Sequence, residues 1–569
     1  MDVRPRYGRA AALIRARAIG AALIAAVAAA LWLAGPAAAQ EPIPPIVYPE
    51  RPAQFEIDGR AAARVAAGTA EVRGELAARG PLETRVEARP EDDRWQVGYF
   101  DGDEEVAVVF VDPASGAVRE AWTGEQVAWP MARGYEGQFG HVLNAPYVWI
   151  PLCLIFLAGL IDWRRPWRVA HLDLLALLAF GVSHVFFNQG EIGVSVPLVY
   201  PPLVYLLARM LWIGFRGGEP LRPRLPVVWL GLATVVLIVF RITLNVADSG
   251  VIDVGYAGVV GADRVSNGEV LYGEGVFPED NGFGDTYGPF NYYAYVPFEL
   301  IAPWSGEWDE LPAAHAAAIA FDVATIAGLF VLGARLRRGR AGRELGVVLA
   351  FAWVAYPYTA FALQSNSNDS LVAALVVWSL ALFAKPAARG TLLALAVAAK
   401  FAPLVLAPLY VAGDRGLLAR GERTRPRAWP GRLRAPAIAG AAFAAVVALM
   451  LAHPAIDPGL VTFWERTVAS QLDRSSPFSL WGQIEGIDWL QKGMLASSAV
   501  LAVALAFVPR RRTPAQVAAL AAALLLALQL SVDHWFYLYI PWFAGPVLIA
   551  LASCAPRRSA DRPAVSASP

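Results

Sequence analysis

Charge is what this 569-residue sequence has little of: Asp, Glu, Lys and Arg make up 17% of it, and 48 basic residues cancel 48 acidic ones. A soluble domain usually carries about 25% charged residues. The zero balance leaves no bulk electrostatic case for a nucleic-acid partner. Cysteine is scarcer still. Cys153 and Cys554 lie at or within apolar runs near opposite ends of the chain, which argues against a structural disulfide. The six histidines are scattered and show no metal-ligand spacing. Neither a phosphate-cradling P-loop nor a dinucleotide fingerprint is present. No cofactor and no metal are expected.

Apolar residues fill the gap, at 57% of the chain with a mean hydropathy of +0.44. They fall into long runs, the pattern of membrane spans, and the 19 Trp and 18 Tyr suit a protein with two membrane–water interfaces. Spans are expected near 146–162, 170–187, 194–214, 226–245, 312–334, 344–363, 369–384, 436–452, 491–508, 514–531 and 535–553. Basic clusters at 164–168, 216–224, 335–343, 415–434, 510–512 and 557–558 mark the cytoplasmic loops. One stretch conflicts with that count. Lys385–Arg389 and Asp414–Arg434 should both be cytoplasmic, yet a single apolar run, 391–412, separates them. Lys400-Phe401-Ala402-Pro403 interrupts its middle, so a re-entrant pair of half-helices with Lys400 near the turn is expected.

The N-terminus carries Arg4, Arg6, Arg9, Arg15 and Arg17, then an apolar stretch from Ala18 to Leu33 and Ala37-Ala38-Ala39. This reads as a signal peptide or an uncleaved signal anchor over 1–39, and either one exports the chain beyond Gln40. Residues 40–140 hold no spanning run. A proline-rich linker leads to an Ala-rich helix or helix pair at 60–79. The β-rich runs 95–100 and 106–111 flank Asp101-Gly102-Asp103 as a hairpin, before an Asp112-Pro113-Ala114-Ser115-Gly116 turn. This small α+β domain resembles a PepSY-type domain, or is a generic spacer without a ligand.

Two connections are far longer than the rest. Residues 245–311 are rich in Asp, Gly, Tyr and Pro, with an aromatic density that argues against disorder; 453–491 contain Arg466 and Arg474. Both fall on the exported face. Asp248 and Asp253, just past the fourth span, are carboxylates that could deprotonate a hydroxyl at the membrane surface. Each also reads as an ordinary loop acid.

The stretches Val251–Gly258, Asn267–Gly273, Thr286–Phe290 and Tyr295–Pro297, followed by Asn368-Asp369-Ser370-Leu371, Lys400-Phe401-Ala402-Pro403, Arg474–Ser479 and Asp533–Tyr537, resemble glycosyltransferase family 87 of the GT-C superfamily in kind, order and side of the membrane. The resemblance covers about 226–555. It leaves 141–225, read as three accessory helices, without a role, and 556–569 as a cytoplasmic tail. It implies an all-α polytopic membrane core in the bacterial inner membrane. It further implies a transferase moving a pentose or hexose, such as arabinose or mannose, from a polyprenyl-phosphate donor. The acceptor would be a glycan or glycolipid outside the cytoplasm, and the anomeric carbon would be inverted. The roles it suggests are Asp253, or else Asp248, as base. Lys400, Arg466, Arg474 and His534 would hold the donor phosphate, and Tyr256, Tyr287, Asn368 and Asp369 the sugar or acceptor. Lys400 stands out because an ionisable group inside a span is costly; it could also snorkel to an interface. Asn368 and Asp369 could cap their helix instead. A lipid or glycan transporter or flippase, and a non-catalytic envelope sensor, remain competing readings.

Overall fold

The computed structural model describes residues 44–417, 429–472 and 476–555, apart from 91, 136 and 138–140. The expected signal segment, the tail from 556 and Arg474 lie outside the described residues. The chain divides into two compact units, 1–123 and 124–569.

In the first unit, α1 (Gly59–Ala66) and α2 (Ala70–Arg79) precede a four-stranded antiparallel meander of β1 (Glu83–Arg89), β2 (Arg94–Asp101), β3 (Glu104–Val111) and β4 (Val118–Thr123). The caps are those the sequence offers. Asp58 accepts from the Ala61 N–H and Thr69 from that of Val72, each holding a helix start that has no partner of its own. Gly102 (φ 64°) supplies the left-handed backbone of the tight β2–β3 turn. Trp95 is fully buried against Phe55, and its indole N–H donates to the Ile57 carbonyl. After β3, Asp112 accepts from the Ala114 and Ser115 N–H groups and pairs with Arg119; the Ser115 N–H first, then Arg119, hold its carboxyl well below the usual range.

The second unit is helical. Its main helices are α3 (Pro146–Leu160), α4 (Val169–Phe187), α5 (Ile192–Arg216), α6 (Val227–Ala247), α7 (Asp253–Asn267), α8 (Pro289–Glu299), α9 (Pro312–Leu336), α10 (Arg340–Val354), α11 (Pro357–Gln364), α12 (Asp369–Ala381), α13 (Pro386–Ala399), α14 (Ala402–Ala412), α15 (Leu433–Ile456), α16 (Asp488–Phe507), α17 (Pro514–Gln529) and α18 (Tyr537–Ser553). A helix lies at every place where a span was expected. Six of them (α4, α5, α6, α9, α15 and α16) are long and apolar enough to cross a membrane, or seven spans if α10 and α11, bent by 60°, count as one. The other expected spans coincide with apolar helices of 10–17 residues. The reason is burial. Helices α12 and α17 are apolar all round because protein encloses them on nearly every face. By contrast, only 6% of the most apolar window of α15 is buried.

The bend between α10 and α11 shows how the bundle tolerates a broken helix. Pro357 has no N–H to give, and Tyr356 before it is extended (φ −79°, ψ 121°). The carbonyls at the break need other donors. Arg241 of α6 enters it. Its Nη2 donates to the Thr359 carbonyl at 2.7 Å, and its Nη1 reaches Thr359 Oγ1 at 3.1 Å and the Trp353 carbonyl at 3.4 Å. Asp322 of α9 balances the charge at 2.9 Å and also accepts from the Trp353 indole at 2.8 Å. Both charged side chains are buried. Replacing one partner of such a pair leaves a buried charge uncompensated, which costs about 3–5 kcal/mol. Arg241→Met is expected to lower the melting temperature of the detergent-purified protein sharply, and Arg241→Met/Asp322→Leu to recover part of the loss. Melting of the single variant at the wild-type temperature would show that the pair carries no net stability.

Candidate functional site

Between α11 and α12 runs a loop, Ser365-Asn366-Ser367-Asn368, in which every residue is fully buried. Its polar groups must find partners inside the protein. Asn366 has φ 50°, a left-handed conformation that Asn accepts more readily than most residues. Its Oδ1 accepts from Asn245 Nδ2 at 2.7 Å, and its Nδ2 donates to Ser249 Oγ and the Gly250 carbonyl, both at 3.0 Å. The Ile252 N–H donates to the Ser365 carbonyl at 3.2 Å. The segment after α6 is thus laid along the buried loop, and α7 starts where that pairing ends, at Asp253. Gly255, in the first turn of α7, lies so near the Asn366 carbonyl that an added Cβ would collide with it.

At the end of this loop, Asp369 opens α12. Lys400, at the break between α13 and α14, reaches it. Its Nζ stands 2.6 Å from Asp369 Oδ1, with the Asp369 side chain wholly buried and that of Lys400 11% exposed. The same oxygen accepts from the Trp542 indole at 2.9 Å. Three rings surround the ammonium, with centroids at 5.8 Å (Tyr287), 5.3 Å (Tyr539) and 5.2 Å (Trp542). Tyr539 and Trp542 stack at 4.4 Å. Lys400 is therefore ion-paired rather than snorkelling.

Polar atoms without a partner gather around the pair. Among the described residues, none bonds to Asp369 Oδ2, Ser370 Oγ, Asn368 Oδ1, Asn291 Nδ2 or the Tyr295 hydroxyl, all of them buried. Asn368 Nδ2 donates to Asn291 Oδ1 at 2.6 Å, joining α8 to the loop. Asn368 occupies the N-cap position of α12 but makes no side-chain cap, so its expected capping role is replaced by this cross-link. The Tyr295 ring packs on Gly258 of α7, and burial together with nearby Asp369 pushes its phenol well up. The segment 245–311, whose aromatic density argues against disorder, is ordered here as α7 and α8, which cover the buried loop. Gly288, at the N-cap of α8, meets the Ala398 carbonyl so closely that only a missing side chain fits, and this brings Tyr287 beside Lys400.

The remaining candidates separate. Asp253 is exposed at the first turn of α7, and its carbonyl accepts from Asn281. Asp248 Oδ2 accepts the Val142 N–H at 3.0 Å, which fixes the chain entering α3. Arg466 lies in a π-helical turn, Glu465–Ala469, and forks onto Asp285 at 2.6 and 2.8 Å. The buried Asp285 raises the guanidinium pKa, so Arg466 ties two segments of the cover together. His534 Nδ1 lies 2.8 Å from Ser476 Oγ, and its ring is 6.1 Å from that of Tyr539. Tyr256 stacks on Trp308 at 4.5 Å inside the cover. Trp542, Tyr539, Asn291 and Tyr295 were not singled out from the sequence. Tyr295 lay within a quoted motif, whereas Trp542 and Tyr539 looked like interface aromatics. Among the described residues, no group of three His, Cys, Asp or Glu side chains could hold a metal ion.

A buried acid–base pair with stacked aromatic rings and spare amide, hydroxyl and carboxylate groups can hold a polyhydroxylated ligand beside an anionic group. Residues 286–532 match the model for glycosyltransferase family 87. No curated protein matches the chain. The close packing of α8 on α13 sets a test of the site's geometry. Gly288→Ala is expected to cost about 1–3 kcal/mol through overpacking. Gly282→Ala, in open space at ordinary φ, should change stability by less than about 0.5 kcal/mol. Indistinguishable melting temperatures for the two variants would refute the close approach of α8 to the Lys400 break.

Proposed function

We propose, from the match of residues 286–532 to the glycosyltransferase family 87 model, that this chain is a membrane glycosyltransferase that takes a sugar from a polyprenyl-phosphate donor and transfers it, with inversion, to a glycan or glycolipid hydroxyl outside the cytoplasm. The observation that carries the reading is the buried Lys400–Asp369 pair, walled by Tyr287, Tyr539 and Trp542 and flanked by unpartnered polar atoms.

In this reading Lys400 faces the departing phosphate, where a fixed cation stabilises the charge that grows as the anomeric C–O bond breaks. Asp369 holds the ammonium through Oδ1 and leaves Oδ2 for a sugar hydroxyl. Asn291, Asn368 and Tyr295 supply further hydroxyl partners, and the Tyr539 and Trp542 rings offer a flat apolar wall. Asp253, exposed at the first turn of α7, is the preferred base over Asp248. The base takes the acceptor's hydroxyl proton, the freed oxygen attacks the anomeric carbon, and the phosphate leaves with the bonding pair. His534 stands near Tyr539 as a second donor to the phosphate. Arg466 serves the cover rather than the phosphate, since Asp285 already engages it.

The test is sugar release by the detergent-purified protein from a panel of polyprenyl-phosphate sugars. Asp253→Asn should lower kcat by roughly 10²–10⁴-fold with donor still bound, as expected for loss of a general base. Lys400→Met should lower kcat as well, while Asp248→Asn should stay within a few-fold of wild type. A dead Asp248→Asn beside an active Asp253→Asn moves the base by five positions. No binding or turnover of any donor by the wild type would sink the transferase reading for this panel and direct attention to lipid transport.

A further inference from the structure

Lys400 and Asp369 fall within 286–532, but two rings of their wall, Tyr539 and Trp542, come from beyond it, at the start of α18. That start is a single 3-10 turn, Tyr537–Tyr539. Tyr537 points to the other side, into α4 and α5, the helices that the family resemblance left without a role. Its hydroxyl lies 2.6 Å from Ser183 Oγ. Ser183 in turn donates to the Ser195 carbonyl at 2.6 Å, so Tyr537 is the donor to Ser183. The His184 ring stacks on Tyr537 at 4.3 Å and 17°, and Phe187 meets its edge at 5.3 Å. Ser183, Ser195 and Tyr537 are all buried.

We infer that α4 and α5 position the candidate site through Tyr537. Clamping Tyr537 on one side of the 3-10 turn fixes where Tyr539 emerges on the other. Tyr539 stacks on Trp542, and Trp542 donates to Asp369, so the clamp sets the wall that covers the Lys400 ammonium. Tyr537, Ser183 and His184 are positioning residues that touch neither Lys400 nor Asp369 directly. The assignment gives the accessory helices a part in the same site. It rests on the transferase reading for its consequence in catalysis, but its structural content can be measured without any donor.

Lysine scarcity makes that measurement clean. Lys385, Lys400 and Lys492 are the chain's only lysines, and Lys385 and Lys492 are exposed. Full-length protein in detergent is treated briefly with an amine-acylating reagent. Modification at each lysine is then read by peptide mass spectrometry, with Lys385 and Lys492 as internal references. Losing one buried hydrogen bond at the clamp should raise local opening, so the Lys400-to-Lys492 ratio is expected to rise several-fold, up to about tenfold, in Tyr537→Phe and Ser183→Ala. Tyr205→Phe is the control. It removes a hydroxyl bond to Asp173 between the same two helices without touching Tyr537, and should leave the ratio unchanged. Where a donor from the panel is turned over, kcat should fall in Tyr537→Phe and not in Tyr205→Phe. A ratio within twofold of wild type in both clamp variants overturns the inference. So does an equal rise in Tyr205→Phe, which would mean general loosening. Because labelling needs no donor, failure of the transferase reading shows up separately, as absent turnover.

Discussion

The buried polar loop at 365–368 is the constraint on which the rest of the second unit depends. Four consecutive residues with no exposure, carrying amide and hydroxyl side chains, cannot borrow hydrogen bonds from water. Beside local bonds such as Ser365 Oγ to the Ala362 carbonyl, several recruit distant parts of the chain. Asn366 and Ser365 hold the segment after α6 and so fix the start of α7. Asn368 holds α8. Asp369, the next residue, draws in Lys400 from the α13–α14 break and Trp542 from α18. Elements far apart in sequence converge here because a loop in this position would otherwise leave several polar groups stranded, at about 1–3 kcal/mol each.

The ion pairs Arg241–Asp322 and Lys400–Asp369 are both buried in this bundle, and their surroundings differ. Arg241 and Asp322 sit at the bend between α10 and α11, where the guanidinium donates to the Trp353 carbonyl, which Pro357 has no N–H to reach, and to the Thr359 carbonyl, and the carboxylate also takes an indole N–H. Its partners belong to the backbone break that the pair repairs, so it reads as structural. Lys400 and Asp369 instead face aromatic rings, and the polar atoms around them are left over: Asp369 Oδ2, Asn368 Oδ1, Asn291 Nδ2 and the Tyr295 hydroxyl. A buried polar network that is only partly satisfied is expensive. It lies where the segment after α6, α8, the loop and α18 meet, and the proposed site is read from that cluster, whereas at the other pair Arg241 Nε and Gln364 Oε1 are the atoms left over.

Much of this was legible along the chain. Helix positions followed from the apolar runs, and the β2–β3 hairpin of the first unit from its two β-rich runs and Gly102, whereas β1 (Glu83–Arg89) was not foreseen. Lys400 drew notice because a lysine within an apolar run has no local reason to be there, and the aromatic density of 245–311, which argues against disorder, agrees with the helices found there. What escaped were properties that only packing decides. Hydropathy cannot tell a helix enclosed by protein, such as α12 or α17, from one enclosed by lipid, since both are apolar all round. Nor could it tell which charges were already taken. Arg466 pairs with Asp285, 181 positions earlier, a partner that no local pattern announces. Trp542 looked like one more interface aromatic. Its bond to Asp369 spans 173 positions, and no local pattern encodes it.

Long-range contacts of this kind divide labour along the chain. The stretch that matches the family supplies the ion pair, the buried loop and α8. Two of the three rings beside the ion pair come from α18, beyond the matched stretch, and the turn before them is held by Ser183, His184 and Phe187 of α4, ahead of it, together with Tyr358 of α11 within it. Charge chemistry and shape therefore reside in different parts of the sequence. Sequence change in α4, α5 or the first turn of α18 can reshape the wall without touching Lys400 or Asp369. On the proposed transferase reading, a cation and carboxylate fixed in the matched stretch, with part of the wall set from outside it, would let the accepted ligand vary while the charges beside it stay the same.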